Sequence, residues 1–148
     1  GETEVDDGMD MMLACFDIHT KKIIFSGARN SLLLIRDEKH EEFMGDRIDI
    51  GGGAFIKKIN KNKEFTDKEI QLEKGDQIYM TTDGYPDQLG GPKYKKFYAV
   101  NLNKILVYNS NHKMEIQLSK IKEAHNEWIS YDDISQIDDI CMIGLKIK

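Results

Sequence analysis

Two acidic pairs are placed where carboxylates could do chemistry. Asp83-Gly84 directly follows the β-prone run Gln77 to Thr82, so a carboxylate stands at the end of a strand where glycine lets the backbone turn sharply. Asp138-Asp139 directly precedes the apolar run Ile140 to Ile147. Carboxylates at the mouths of strands can converge on a hard divalent cation, because Mg2+ and Mn2+ prefer oxygen ligands and keep several waters. Spacing alone fits ordinary turn aspartates better. Neighbours along a strand point to opposite faces, so Asp139 is expected to face away from any site that holds Asp138.

Other chemistries lack their residues. The sequence has no phosphate loop ending in Lys-Ser or Lys-Thr, no GxGxxG, no CxxC and no HExxH. His19, His40, His112 and His125 fall in four separate segments, which suits surface or packing roles. Asp6, Asp7 and Asp10 bunch before the first strand without the ligand spacing, central glycine and distal glutamate of a calcium loop. Cys15 and Cys141 sit inside apolar segments and are expected to be small core residues.

The elements that must position the acidic pairs are short strands followed by helices. Met11 to His19 and Lys22 to Ser26 read as a hairpin, Leu32 to Arg36 as a third strand, and Asp37 to Glu42 as a charged turn. Ala54 to Ile59, Glu64 to Leu72 and Gln77 to Thr82 continue the series. After Pro92 the period changes. Tyr98, Leu102, Ile105 and Leu106 place one face of a helix between Lys96 and Tyr108. Met114, Leu118, Ile121, His125 and Trp128 mark a second helix, with Ser110 or Asn111 as its N-cap. Ile140 to Ile147 reads as a strand buried on both faces. Strands in hairpin order with two helices make an α+β fold with antiparallel sheets.

The chain has 148 residues, enough for one domain, and a net charge of -5 with basic and acidic residues interspersed. That pattern argues against a phosphate-backbone surface, so no nucleic-acid partner is expected. The longest apolar runs, Met11 to Phe16 and Leu32 to Ile35, are far short of the roughly 20 residues that cross a bilayer, so no span is expected in this segment. Two cysteines, too few for a disulfide-stapled secreted domain, read as a cytoplasmic location.

The block Thr81-Thr82-Asp83-Gly84-Tyr85-Pro86-Asp87-Gln88-Leu89-Gly90-Gly91-Pro92-Lys93, followed by Lys96-Phe97, resembles the Thr-Asp-Gly block of stage II sporulation protein E-type phosphatases, within the metal-dependent protein phosphatase 2C-like superfamily. Gly8-Met9-Asp10, the turn Gly27-Ala28-Arg29-Asn30, Leu72 to Gln77, Trp128 and Gln136-Ile137-Asp138-Asp139-Ile140 follow in the family's order. The resemblance implies an antiparallel β-sandwich with helices. It further implies hydrolysis of phosphoserine or phosphothreonine by a metal-bridged hydroxide, with two Mg2+ or Mn2+ ions. The metal site it carries over is Asp83, with Gly84 beside it, and Asp138. A phosphorylated bacterial signalling protein, such as an anti-sigma-factor antagonist, is the implied substrate.

One departure is large. The family's upstream Gly-Asp and Ser-Gly-His-Gly block, whose aspartate bridges both metals, has no counterpart here, and Asp7-Gly8 matches a later segment. Residues 1–148 are therefore expected to be a single partial domain, the C-terminal two-thirds of an N-terminally truncated phosphatase domain, inactive by itself. The alternative is a non-catalytic binding module for the same signalling partners. Gly51-Gly52-Gly53 and the turn at Arg29-Asn30-Ser31, which lacks a following proline, also depart from the pattern. An uncovered sheet edge is expected to make the chain self-associate, most simply as a dimer.

Overall fold

The computed structural model describes residues 8–51, 64–131 and 134–148. The expected strand Ala54 to Ile59 and the acidic Asp6 and Asp7 lie outside them. The chain divides into two compact units, residues 1–32 with 42–73, and residues 33–41 with 74–148.

In the first unit, β1 (Gly8–Met9) pairs with β6 (Ile50–Gly51), and β2 (Met11–Asp17), β3 (Lys22–Ala28) and β7 (Lys68–Gln71) form an antiparallel sheet in the order β2-β3-β7. The β2–β3 hairpin forms as expected: Asp17 caps its turn by accepting the backbone N–H groups of His19 and Thr20, and Phe25 at the centre of β3 is fully buried. Cys15 pairs with Ile24 on this hairpin and is exposed, not a core residue. An alternating strand with one open face accounts for it, since only every second side chain of β2 is turned inward. The Glu64 to Leu72 strand shrinks to β7.

The second unit is built on β4 (Leu32–Arg36), β5 (Lys39–Phe43), β8 (Gln77–Thr81) and β11 (Met142–Lys146), in the sheet order β11-β8-β4-β5. Three helices follow β8: the single turn α1 (Gly84–Asp87), α2 (Ala99–Tyr108) and α3 (Met114–Ile129). Between the first two, β9 (Leu89–Gly90) and β10 (Lys95–Lys96) close a small hairpin. The core is apolar and continuous: Leu33 and Ile35 of β4, Tyr79 of β8, Tyr85 of α1, Phe97, Leu102 and Leu106 of the α2 region, and Ile121 of α3. At its base, Arg36 forms a two-pronged ion pair with the buried Asp76.

Four expectations need correction here. The charged segment Asp37 to Glu42 is not all turn, because Lys39–Phe43 is an edge strand whose outward residues tolerate charge. The face of α3 is rotated: Gln117 is buried while Leu118 is half exposed. Gln117 can go inside because its amide is consumed by Gln77, Tyr79 and the carbonyl of His112. The N-cap of α3 is Lys113 without a side-chain bond, and Ser110 instead donates to the carbonyl of Val107. Finally, β11 is not buried on both faces. Met142 packs against the core from one face, while Ile143 and Leu145 on the other face are exposed, as is Cys141 just ahead of the strand.

Candidate metal centre

Asp83 and Asp138 are brought to one place by strand pairing. β8 and β11 run antiparallel with Thr81 opposite Met142, so the exit of one strand and the entry of the other lie side by side. The pairing extends one step past the strands: Thr82 donates its N–H to the carbonyl of Cys141 at 3.0 Å. Beyond that point the two chains part into loops, and each loop begins with an aspartate pair or an Asp-Gly.

Three contacts knit those loops together. The Thr82 hydroxyl donates to the Asp139 carbonyl at 3.1 Å and accepts the Cys141 N–H at 3.0 Å. Gly84 packs directly on the same Asp139 carbonyl, so closely that a Cβ there would lie 2.4 Å from the oxygen. On the far side of Asp138, the buried side chain of Gln88 accepts the Ile137 N–H at 3.1 Å and donates to the Ser135 carbonyl at 3.2 Å. Glycine at position 84 is thus required by close approach, since its backbone is ordinary helix.

The carboxylates themselves face solvent. Asp83 caps the start of α1 without a side-chain bond, and among the described residues its carboxylate makes no hydrogen bond or ion pair. Asp138 accepts the Asp139 N–H on one oxygen at 2.7 Å, which leaves the other open. Asp138 and Asp139 lie ahead of β11 rather than on it, so strand alternation does not separate them. What distinguishes them is use: the carbonyl of Asp139 is the packing surface for Thr82 and Gly84, while its carboxylate is exposed and, among the described residues, unbonded.

Lys96 supplies positive charge nearby. Its ammonium pairs with Asp87 at 2.7 Å and is held above its usual range by that bond first, with the charge of Asp83 adding to the effect. The hairpin carrying it is fixed from beneath by Trp128, whose backbone carbonyl accepts the Gly91 N–H at 2.8 Å and whose ring is packed against Gly90 and Gly91. Trp128 also stacks edge-on with Phe97.

The donor set fits a hard cation that keeps much of its water. Two exposed carboxylates with free oxygens are what Mg2+ or Mn2+ uses when a phosphate and waters complete its shell. Among the described residues no group of three or more His, Cys, Asp or Glu side chains assembles, so a closed all-protein cage is not present there. Asp10, the described member of the early acidic cluster, faces Arg29, itself paired with Asp49. Sequence reasoning missed Thr82 and Gln88 as structural partners of the site. Their positions next to Asp83 and at the end of α1 were visible, but their bonds to a loop about 50 residues away were not.

The sequence matches the family described as Stage II sporulation protein E over residues 2–148. No curated protein matches it. Among solved structures, the fold is similar to the SiaA-PP2C domain of Pseudomonas aeruginosa at 24% identity and TM-score 0.82, covering 95% of this chain and 52% of that one. It is also similar to the phosphatase domain of the cell fate determinant SpoIIE from Bacillus subtilis, presoaked with Mn, at 14% identity and TM-score 0.65, covering 93% of this chain and 56% of that one. A third likeness is to the serine/threonine phosphatase PstP/Ppp of Mycobacterium tuberculosis, at 10% identity and TM-score 0.53, covering 95% and 60%. These establish the α+β, phosphatase 2C-like fold with its antiparallel sheets. The chain spans a little over half the length of the structures it matches.

Proposed function

Because this chain belongs to the stage II sporulation protein E family, we propose that it forms the C-terminal two-thirds of a metal-dependent protein serine/threonine phosphatase domain. The observation that carries this reading is the meeting of the Asp83-Gly84 turn with the Asp138 loop across the β8–β11 pairing. Asp83 and Asp138 would hold Mg2+ or Mn2+, and Gly84 lets the second loop close on the first. When bound, such cations supply an activated water and offset the charge of the phosphoryl group in flight.

The chain's own residues then have defined tasks. Asp83 and Asp138 stand on loops that meet where β8 ends and β11 begins, and on this reading their carboxylates supply the oxygens. Lys96 adds a positive charge beside them, which favours an anionic phosphorylated side chain, and its pairing with Asp87 fixes where that charge stands. No protein nucleophile is assigned, and Cys15 and Cys141 are free and exposed. The substrate that fits this reading is a phosphoserine or phosphothreonine of a bacterial signalling protein, such as an anti-sigma-factor antagonist, in the cytoplasm. The described helices include none long and apolar enough to cross a membrane.

Two carboxylates cannot by themselves hold a pair of cations, so on this reading residues 1–148 alone should show no turnover on p-nitrophenyl phosphate in Mn2+. The test uses the complete protein. Asp83→Asn and Asp138→Asn should each abolish dephosphorylation of a phosphoserine protein, while Asp139→Asn retains most of it. Full activity in both of the first two variants would overturn the assignment of the metal site, and a complete protein that binds its phosphorylated partner without dephosphorylating it would leave the alternative, a non-catalytic binding module.

A further inference from the structure

Residues 134–141, which carry Asp138, have no regular structure of their own ahead of β11, so something else must hold its carboxylate still. Among the described residues, the bonds that tie residues 135–141 to other parts of the chain come from Thr82 and Gln88. They grip opposite sides of the aspartate. Gln88 holds Ser135 and Ile137, just ahead of Asp138, and Thr82 holds Asp139 and Cys141, just after it.

Both gripping residues belong to the segment that carries Asp83. Thr82 is its neighbour, and Gln88 caps the end of α1, the single turn that Asp83 begins. Gln88 is in turn immobilised: it is 1% exposed, and its backbone carbonyl accepts the Phe97 N–H at 2.9 Å and the Trp128 indole N–H at 3.2 Å. A carboxamide and a hydroxyl suit the task, since each can donate and accept at once and so fix both polarities of a passing backbone. We propose that Thr82 and Gln88 form a two-point clamp that positions Asp138 against Asp83 and thereby sets the affinity of the site for Mg2+ or Mn2+.

This inference rests on the metal-site reading above. Partners that orient a ligand from behind typically contribute roughly 10- to 100-fold in metal affinity. Gln88→Met keeps the side chain's length but removes its hydrogen bonds, and the backbone groups it releases at Ser135 and Ile137 belong to exposed residues that water can reach. Thr82→Val removes the hydroxyl at constant shape, and Thr82→Ser restores it.

The experiment is a calorimetric titration of the complete protein with Mn2+ in the absence of substrate. Gln88→Met and Thr82→Val should each weaken binding by about 10- to 100-fold, and Thr82→Ser should keep the parent affinity. The KM for a phosphoprotein at saturating Mn2+ should not change, which separates positioning from general damage. Far-ultraviolet circular dichroism of each variant against the parent reports whether it folds. If Gln88→Met does not fold, the Thr82→Val and Thr82→Ser pair decides. Parent affinity in the folded clamp variants, with binding lost in Asp138→Asn, would overturn the clamp and leave the metal site standing. Parent affinity in Asp138→Asn as well would remove both.

Discussion

Replacing Gly84 with alanine sets two effects of known sign against each other. Alanine is the better helix former by about 1 kcal/mol, so on propensity alone Gly84→Ala should stabilise α1. The added methyl, however, would lie 2.4 Å from the Asp139 carbonyl oxygen and 3.0 Å from its carbon, where ordinary contact begins at 3.4 Å. The neighbour is backbone in a loop pinned by Thr82, so it cannot simply rotate away. Forcing such a contact costs typically about 1 to 3 kcal/mol, which leaves a net loss of roughly 0 to 2 kcal/mol. The relief available is to push the Asp138 loop outward by about 1 Å, and that separates the two carboxylates. Urea unfolding of Gly84→Ala should therefore show a lower midpoint, and Mn2+ titration of the complete protein should show weaker binding. A variant as stable as the parent, with unchanged Mn2+ affinity, would refute the close approach on which the site is built.

Two further outcomes follow from other parts of the second unit. Burial pushes the phenols of Tyr79 and Tyr85 up to about 12 from an ordinary value near 10, so the neutral form is favoured in the folded protein. Their contribution is fully present below pH 10 and is lost as pH rises from about 10 to about 12. Chemical unfolding across that window should show falling stability, with a shallower fall in Tyr85→Phe, and a flat profile would contradict it. At the sheet edge, Ile143 is 56% exposed and Leu145 41%, so the isolated chain should self-associate and Ile143→Lys should suppress it. Sedimentation showing the parent chain as a monomer at high concentration would count against this.

The parts of the fold that read clearly from sequence are those whose pattern is local. β4 and α3 show it best: four consecutive apolar residues between turn signals, and a long stretch with apolar residues three and four apart. What stayed hidden depends on partners distant in sequence. The strand Lys39–Phe43 is nearly all charged or polar and reads as a turn until its place at a sheet edge is known. Gln117 looks like a surface residue until Gln77 and Tyr79 are brought to it, and β11 looks doubly buried until its open face is seen. For the proposed site, Asp83 and Asp138 were singled out by their places beside strands and by the resemblance, and the structure brings their loops side by side. The contacts joining their loops were not, because one hydroxyl, one carboxamide and one missing side chain leave no periodic trace.

The most direct test of the account is Mn2+ binding to the complete protein with Asp83, Asp138 and Asp139 replaced singly by asparagine. Each change keeps size and removes one charge. The account predicts that Asp83→Asn and Asp138→Asn each lose binding by orders of magnitude, while Asp139→Asn, whose carbonyl rather than carboxylate is engaged, binds as the parent does. Equal binding in all three variants, or a loss in Asp139→Asn as large as in Asp138→Asn, would contradict the assignment.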